Sequence, residues 1–293
     1  MLPADWRRLR AADYPVPADA PLSDLTADLT ELLGHPDPEL RADVALPALQ
    51  AWIRRGVYDD LLVGLGDGIA TGLTKGLGES GTDSVFRRVG SATVLAACVA
   101  RDARRPLLPG GKVLDWADRI ATWFLSERDL RGHVPGRGWA QSLCHGADAI
   151  GVVAASPHCG RAELSVLLEV IGERVTAPTA AAWSTDEADH LAAATLRLLR
   201  RDLVPLDQVE MWVATIGDRA FGITAGTGTP DPVAANVDAF IRALYLHLAL
   251  APRQPVVRPD LLLTLVAVLR ELHPSFLGTA GFDGPAASPS YTR

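Results

Sequence analysis

The chain is punctuated for helices. Apolar residues recur at helical spacing in segment after segment, and no segment alternates apolar and polar residues over the length of a strand. The clearest start is Asp37-Pro38-Glu39-Leu40, with Asp as N-cap, Pro at the first helical position and Glu in the first turn. Leu40, Val44, Leu46, Leu49, Trp52 and Ile53 then form one apolar stripe. Pro47 lies inside that stripe and is expected to bend the helix, because proline lacks an N–H and crowds the carbonyl one turn back. After the break at Gly56, helices are expected over 59–73, 84–101, 112–126, 138–155, 161–175, 186–201, 206–217, 232–251 and 259–273.

The connections Arg105-Pro106, Pro109-Gly110-Gly111 and Ser156-Pro157 are short and turn-like. Helix pairs recurring at roughly 35–45 residues predict an all-α fold of paired antiparallel helices, either a HEAT-like α-solenoid or an irregular helical array. Residues 1–277 are expected to form a single domain, and 278–293, rich in Gly, Ala, Ser and Pro, a flexible tail.

Composition narrows the class. With 48% apolar and 22% charged residues in 293, the chain is globular rather than disordered. A formal charge of −7 argues against nucleic-acid and anionic-membrane partners, whose recognition rests on clustered Lys and Arg. The start, Met1 to Arg8, has no apolar stretch behind its charges, and the longest apolar run, 92–100, is far below the ~20 residues of a membrane span. Three cysteines (Cys98, Cys144, Cys159) at no metal-ligand spacing predict reduced thiols in a cytoplasm. Lysine is confined to Lys75 and Lys112 while Arg and Ala abound, a skew that suggests a GC-rich bacterial genome. Gly64, Gly66 and Gly68 mimic a phosphate loop, but no strand precedes them, so a fraying helix is the better reading. Trp52, Trp116, Trp123, Trp183 and Trp212 lie in apolar stripes and are expected in the core.

The polar content concentrates between Ser126 and Asp148. On a helix begun near Gly138, Trp139, Leu143, Ile150 and Ala154 would share one side, and Gln141, His145 and Asp148 the other. A solvated face normally carries Glu, Lys and Arg. This one carries an amide, an imidazole and a short carboxylate among Ala140, Gly146, Ala147 and Ala149, which let another helix or a ligand approach closely. The loop before it adds Glu127, Asp129, Arg131, His133 and Arg137, and delivers backbone N–H groups to a helix N-terminus, where an anion is favoured. The same residues also suit a plain stitching role, with Glu127 or Asp129 paired to Arg131 and His145 to Asp148.

The runs Gly78-Glu79-Ser80-Gly81-Thr82-Asp83-Ser84-Val85-Phe86, Glu127-x-Asp129-Leu130-Arg131-Gly132, Gly138-Trp139-Ala140 and His145-Gly146-Ala147-Asp148 together resemble the bacterial family called domain of unknown function 2785, over about residues 25–215. The resemblance implies an all-helical bacterial protein and no particular reaction. It also implies a His at the position of Gln141, so that relatives would present His-x3-His-x2-Asp, a set suited to a divalent metal. The family's Arg-Ser-Phe-Ser run stands here as Arg88-Val89-Gly90-Ser91, and its acidic-Arg run as Glu187-Ala188-Asp189-His190.

The expectation is therefore a cleft that binds a small polar or anionic ligand or a partner segment, with Glu127, Asp129, Arg131, His133, Arg137, Trp139 and Gln141 lining it. The alternative is a metal-independent enzyme of specialised metabolism, with His145 as general acid/base oriented by Asp148. With Gln141 in place of His, no metal and no cofactor are expected.

Overall fold

The computed structural model describes residues 3–227 and 231–278; the tail beyond 278 lies outside them. Two helices, α1 (Pro3–Ala11) and α2 (Leu22–Leu32), pack on a π-helical turn, Glu39–Ala45, which runs straight into α3 (Leu46–Arg55). Where a bend is expected at Pro47, the structure has this π-helical turn just before it. Leu46 N–H reaches back five residues to the Arg41 carbonyl, and the Asp43 carbonyl, which the missing proline N–H would have served, accepts from the Tyr14 hydroxyl at 2.5 Å.

Beyond α3 come α4 (Leu62–Ala70), flanked by single 3-10 turns, α5 (Ser84–Arg104) and α6 (Gly110–Ser126). A two-residue hairpin follows, β1 (His133–Val134) against β2 (Gly138–Trp139), antiparallel with His133 opposite Trp139. It is the only sheet among the described residues. The remainder is helical: α7 (Ser142–Ala154), α8 (Arg161–Val175), α9 (Glu187–Leu199), α10 (Leu206–Thr227), α11 (Pro232–Leu250), α12 (Arg258–Leu272) and the short α13 (Pro274–Leu277). The fold is all-α, as the periodicity predicts.

Two rows organise these helices. In one row α3, α5, α7, α9 and α11 each pack on the next. In the other, α4, α6, α8 and α10 are laid alongside, and α12 closes the end against α10 and α11. Small residues let helices come close within and between rows: a Cβ on Gly66 of α4 would lie 2.1 Å from Trp116 of α6, and one on Gly146 of α7 2.2 Å from Phe124 of α6. The glycines of 64–68 thus belong to a packed helix. Trp52, Trp116, Trp123 and Trp212 are buried as expected, whereas Trp183 is half-buried at the edge of a cleft. By length and composition α11 alone among the described helices could cross a membrane, yet half of it is buried in this array, against α9, α10 and α12.

Replacing Gly66 with Ala should cost about 1–3 kcal/mol in denaturant unfolding, since the indole of Trp116 must move to admit the methyl; a neutral result would refute the close approach. Tyr58 offers a pH handle. Its hydroxyl meets Thr26 Oγ1 at 2.9 Å, and burial pushes the phenol up to about 12, the Thr26 contact opposing. The unfolded phenol ionises near 10, so this contribution is complete below pH 10 and is lost as pH rises from there to about 12. Tyr58→Phe should flatten that part of the stability curve.

Candidate functional site

The polar segment begins with a buried ion pair. Arg88, on α5 and fully buried, points its guanidinium at Glu127 just past the end of α6, with Nε–Oε2 2.5 Å and Nη2–Oε1 2.8 Å. The remaining donor, Nη1, serves the carbonyls of Lys75 and Gly76 and the Ser84 hydroxyl. Glu127 accepts two further bonds, from Trp123 Nε1 and the Asp129 backbone N–H. Every nitrogen of the guanidinium and both carboxylate oxygens are engaged, which is what makes a charge pair tolerable in a dry core.

Asp129, also buried, repeats the pattern one step on. It holds the Arg131 guanidinium at 2.7 and 2.8 Å and takes the Gly81 N–H, while its carbonyl accepts from Ser142 at the start of α7. Arg131 reaches on to the Thr82 carbonyl, and Arg137 pairs with Asp83 at 2.9 Å. The family runs around 78–86 and 127–132 are thus two sides of one joint.

That joint corrects the expected helix over 138–155. Gly138 and Trp139 belong to the hairpin, where Gly138 has φ 82°, and α7 starts only at Ser142. Trp139 does not join Leu143 and Ile150 on a buried face. It is 54% exposed, with His133 packed edge-on at 5.1 Å. Gln141 precedes the helix in a left-handed conformation, φ 46°.

Of the seven residues expected to line a ligand cleft, Glu127 and Arg131 do so, whereas Asp129, His133, Arg137, Trp139 and Gln141 are not in its wall. Glu127 and Arg131 border a cleft of about 1050 Å³ between the 127–132 loop and the 177–184 segment that leads into α9. Its wall includes Arg128, Trp183, Asn236 and Arg174. Arg174 gives one bond to the Glu127 carbonyl at 3.1 Å, while its buried Nη2 has no partner among the described residues. Burial lowers its pKa to about 10, the Glu127 charge opposing.

His145 and Asp148 line a different hollow of about 390 Å³, between α3, α5, α7 and α9, with Gln50, Arg54 and Arg104 at its edge. The proposed His145–Asp148 hydrogen bond is not formed. His145 Nδ1 meets Thr93 at 3.2 Å, and burial lowers its pKa, Asp148 opposing. Asp148 Oδ2 instead lies 3.1 Å from His190 Nδ1 on α9, with Arg197 beyond at 3.9 Å. Cys144 diverges from His145, as neighbours on a helix must, and faces Asp186 at 3.8 Å. Burial pushes its thiol up to about 12, the carboxylates of Asp186, Glu187 and Asp148 adding to the effect.

An all-helical array, jointed by buried Arg–carboxylate pairs and carrying a thiol–imidazole–carboxylate cluster where two helices begin, defines the class of protein. The chain belongs to DUF2785, a family described as proteins of unknown function, whose model matches residues 73–246. No curated protein and no solved structure matches. The matched stretch contains the joint, the hairpin, the cleft walls, His145 and His190.

The sequence gives no site role to Arg88, Arg174, Asp186 or His190, because each has a deciding partner at least 39 residues away: Glu127 for Arg88 and Arg174, Cys144 for Asp186 and Asp148 for His190. Glu127→Ala should lose about 3–5 kcal/mol in urea unfolding, because it strands a buried guanidinium. Combining it with Arg88→Met should restore part of that loss, and a double variant no more stable than the single would contradict the pairing.

Proposed function

We propose that this protein is a HEAT-like helical-repeat protein of the bacterial cytoplasm whose cleft beside Glu127 and Arg131 binds a small anionic ligand. The observation that carries the reading is Arg174: a buried guanidinium at the cleft wall with an unpartnered Nη2. A buried donor without an acceptor costs about 1–3 kcal/mol, and an anion in the cleft would supply one once the guanidinium turns toward it. Arg128, exposed on the same wall and without a partner among the described residues, adds positive charge at the mouth. The volume, about 1050 Å³, suits a metabolite-sized molecule. Asn236, buried on α11, fixes the far wall by accepting the Trp183 N–H at 2.7 Å.

In this reading Glu127 and Asp129 do not touch the ligand. Their lone pairs are committed to Arg88, Arg131 and backbone N–H groups, so they set the shape of the wall. The alternative of a metal-independent enzyme has one observation in its favour, the His–Asp pair of His190 and Asp148. In it His190 rather than His145 is the residue that Asp148 orients.

The test is thermal denaturation with inorganic phosphate, pyrophosphate and small dicarboxylates. A ligand at one hundred times its dissociation constant should add about 2.7 kcal/mol. Arg128→Ala, a surface change, should weaken that stabilisation while leaving the unliganded midpoint unchanged, and Arg174→Gln should abolish it. Equal stabilisation of wild type and both variants would exclude the cleft.

A further inference from the structure

We propose that Cys144, Asp186 and His190 form a binding site for a divalent transition metal of the zinc type, with Gln141 at the fourth position. The proposal is independent of the anion cleft, which lies on other residues. Its basis is a convergence of ligand atoms: one from each of the three residues, all within 4.8 Å of one another.

The spacing comes close to what such an ion demands. Bonds of about 2.0–2.3 Å in a tetrahedron place ligand atoms roughly 3.3–3.8 Å apart. Here Cys144 Sγ lies 3.8 Å from Asp186 Oδ1 and His190 Nε2 3.5 Å from the other oxygen, Oδ2, so with one atom from each residue the set spans up to 4.8 Å and closes on an ion by small side-chain rotations. The amide end of Gln141 sits 3.4 Å from Asp186 Oδ1. A half-turn of that amide exchanges its nitrogen for a neutral oxygen ligand.

The surroundings point the same way. His190 Nδ1 is engaged by Asp148 at 3.1 Å, which leaves Nε2 as the free nitrogen and turns it toward Asp186. A carboxylate behind the imidazole is how metal-binding histidines are oriented and made more basic. The thiol is buried while Asp186 is exposed, so the site has a protected soft ligand and a route for the ion from solvent. Thiolate with imidazole favours a zinc-like ion over magnesium or calcium, which prefer all-oxygen sets. Binding exchanges the thiol proton for the metal: one S–H bond breaks, one S–metal bond forms, one proton leaves, and nothing is oxidised. One thiolate and one carboxylate then balance the two charges of the ion.

The expectation of no metal weighed only ligands on one helix and its preceding loop, taking His145 and Asp148 as the strongest. Neither points at this cluster as a ligand. The ligands come instead from α7 and from the start of α9, where Asp186 precedes the helix and His190 lies one turn on.

The full chain, stripped with a chelator and confirmed folded by circular dichroism, would be titrated with cobalt(II) and then zinc(II). We expect one cobalt per chain, a thiolate-to-cobalt charge-transfer band, and displacement by zinc. Cys144→Ser and His190→Ala should each abolish the band, whereas Cys159→Ser should keep it. Asp148→Asn should weaken zinc binding about 10–100-fold, and Gln141→His should tighten it. A folded wild type that gives no thiolate–cobalt band, or a band that survives Cys144→Ser, would overturn the proposal.

Discussion

The Arg88–Glu127 pair is the interaction on which the polar half of the molecule depends. A guanidinium and a carboxylate removed from water gain little by themselves, since desolvation offsets most of their attraction. What they secure here is geometry. Through its third nitrogen Arg88 gathers the 75–76 backbone and Ser84, and through its oxygens Glu127 gathers Trp123 and the start of the 127–132 loop. Asp129 passes the constraint to Gly81, Arg131 and α7. The loop after α6 is thereby fixed at both sides, so the cleft wall and the first turn of α7 stand at defined places relative to α5.

Downstream of that joint, the row of α5, α7, α9 and α11 is crossed by polar contacts one helix at a time. Thr93 meets His145, Asp148 meets His190, and Asp189 meets His247. Each link places a histidine of one helix against a short polar side chain of the next. Such contacts need close helix approach, which the alanines and glycines of α7 permit; a Cβ on Gly151 would lie 3.1 Å from the Ala194 Cα. The small-residue content of 140–154 is therefore explained by neighbouring helices. The cluster of Cys144, Asp186 and His190 sits at the margin of the row, where α7 and α9 begin.

Helices were legible in the sequence because their signal is local: period, caps and breakers lie within one segment. Boundaries failed where a longer-range contact outweighed the period. The helix read through 138–141 yields to a hairpin because Gly138 packs on Pro38 and the loop behind it is bound to Asp129. The residues of the candidate site were half legible. An unusual face of Gln141, His145 and Asp148 was visible as a pattern, but the partner of Asp148 lies 42 positions away, and no spacing within α7 announces it. Three polar residues on one face could not reveal that two of them look to different helices.

The π-helical turn ahead of α3 carries a consequence of phase. Each residue of an α-helix turns the chain by about 100°, so a turn that holds one residue more than α-geometry displaces everything before it by about that angle. Leu40 and Val44 are buried on one side of this turn, and Leu49, Trp52 and Ile53 on the continuation. The extra residue lets both stripes meet the same core while Pro47 stays in place. A one-residue deletion within 39–45 would restore regular winding and swing α1 and α2 away from the face they cover, so length in this segment is constrained more tightly than composition.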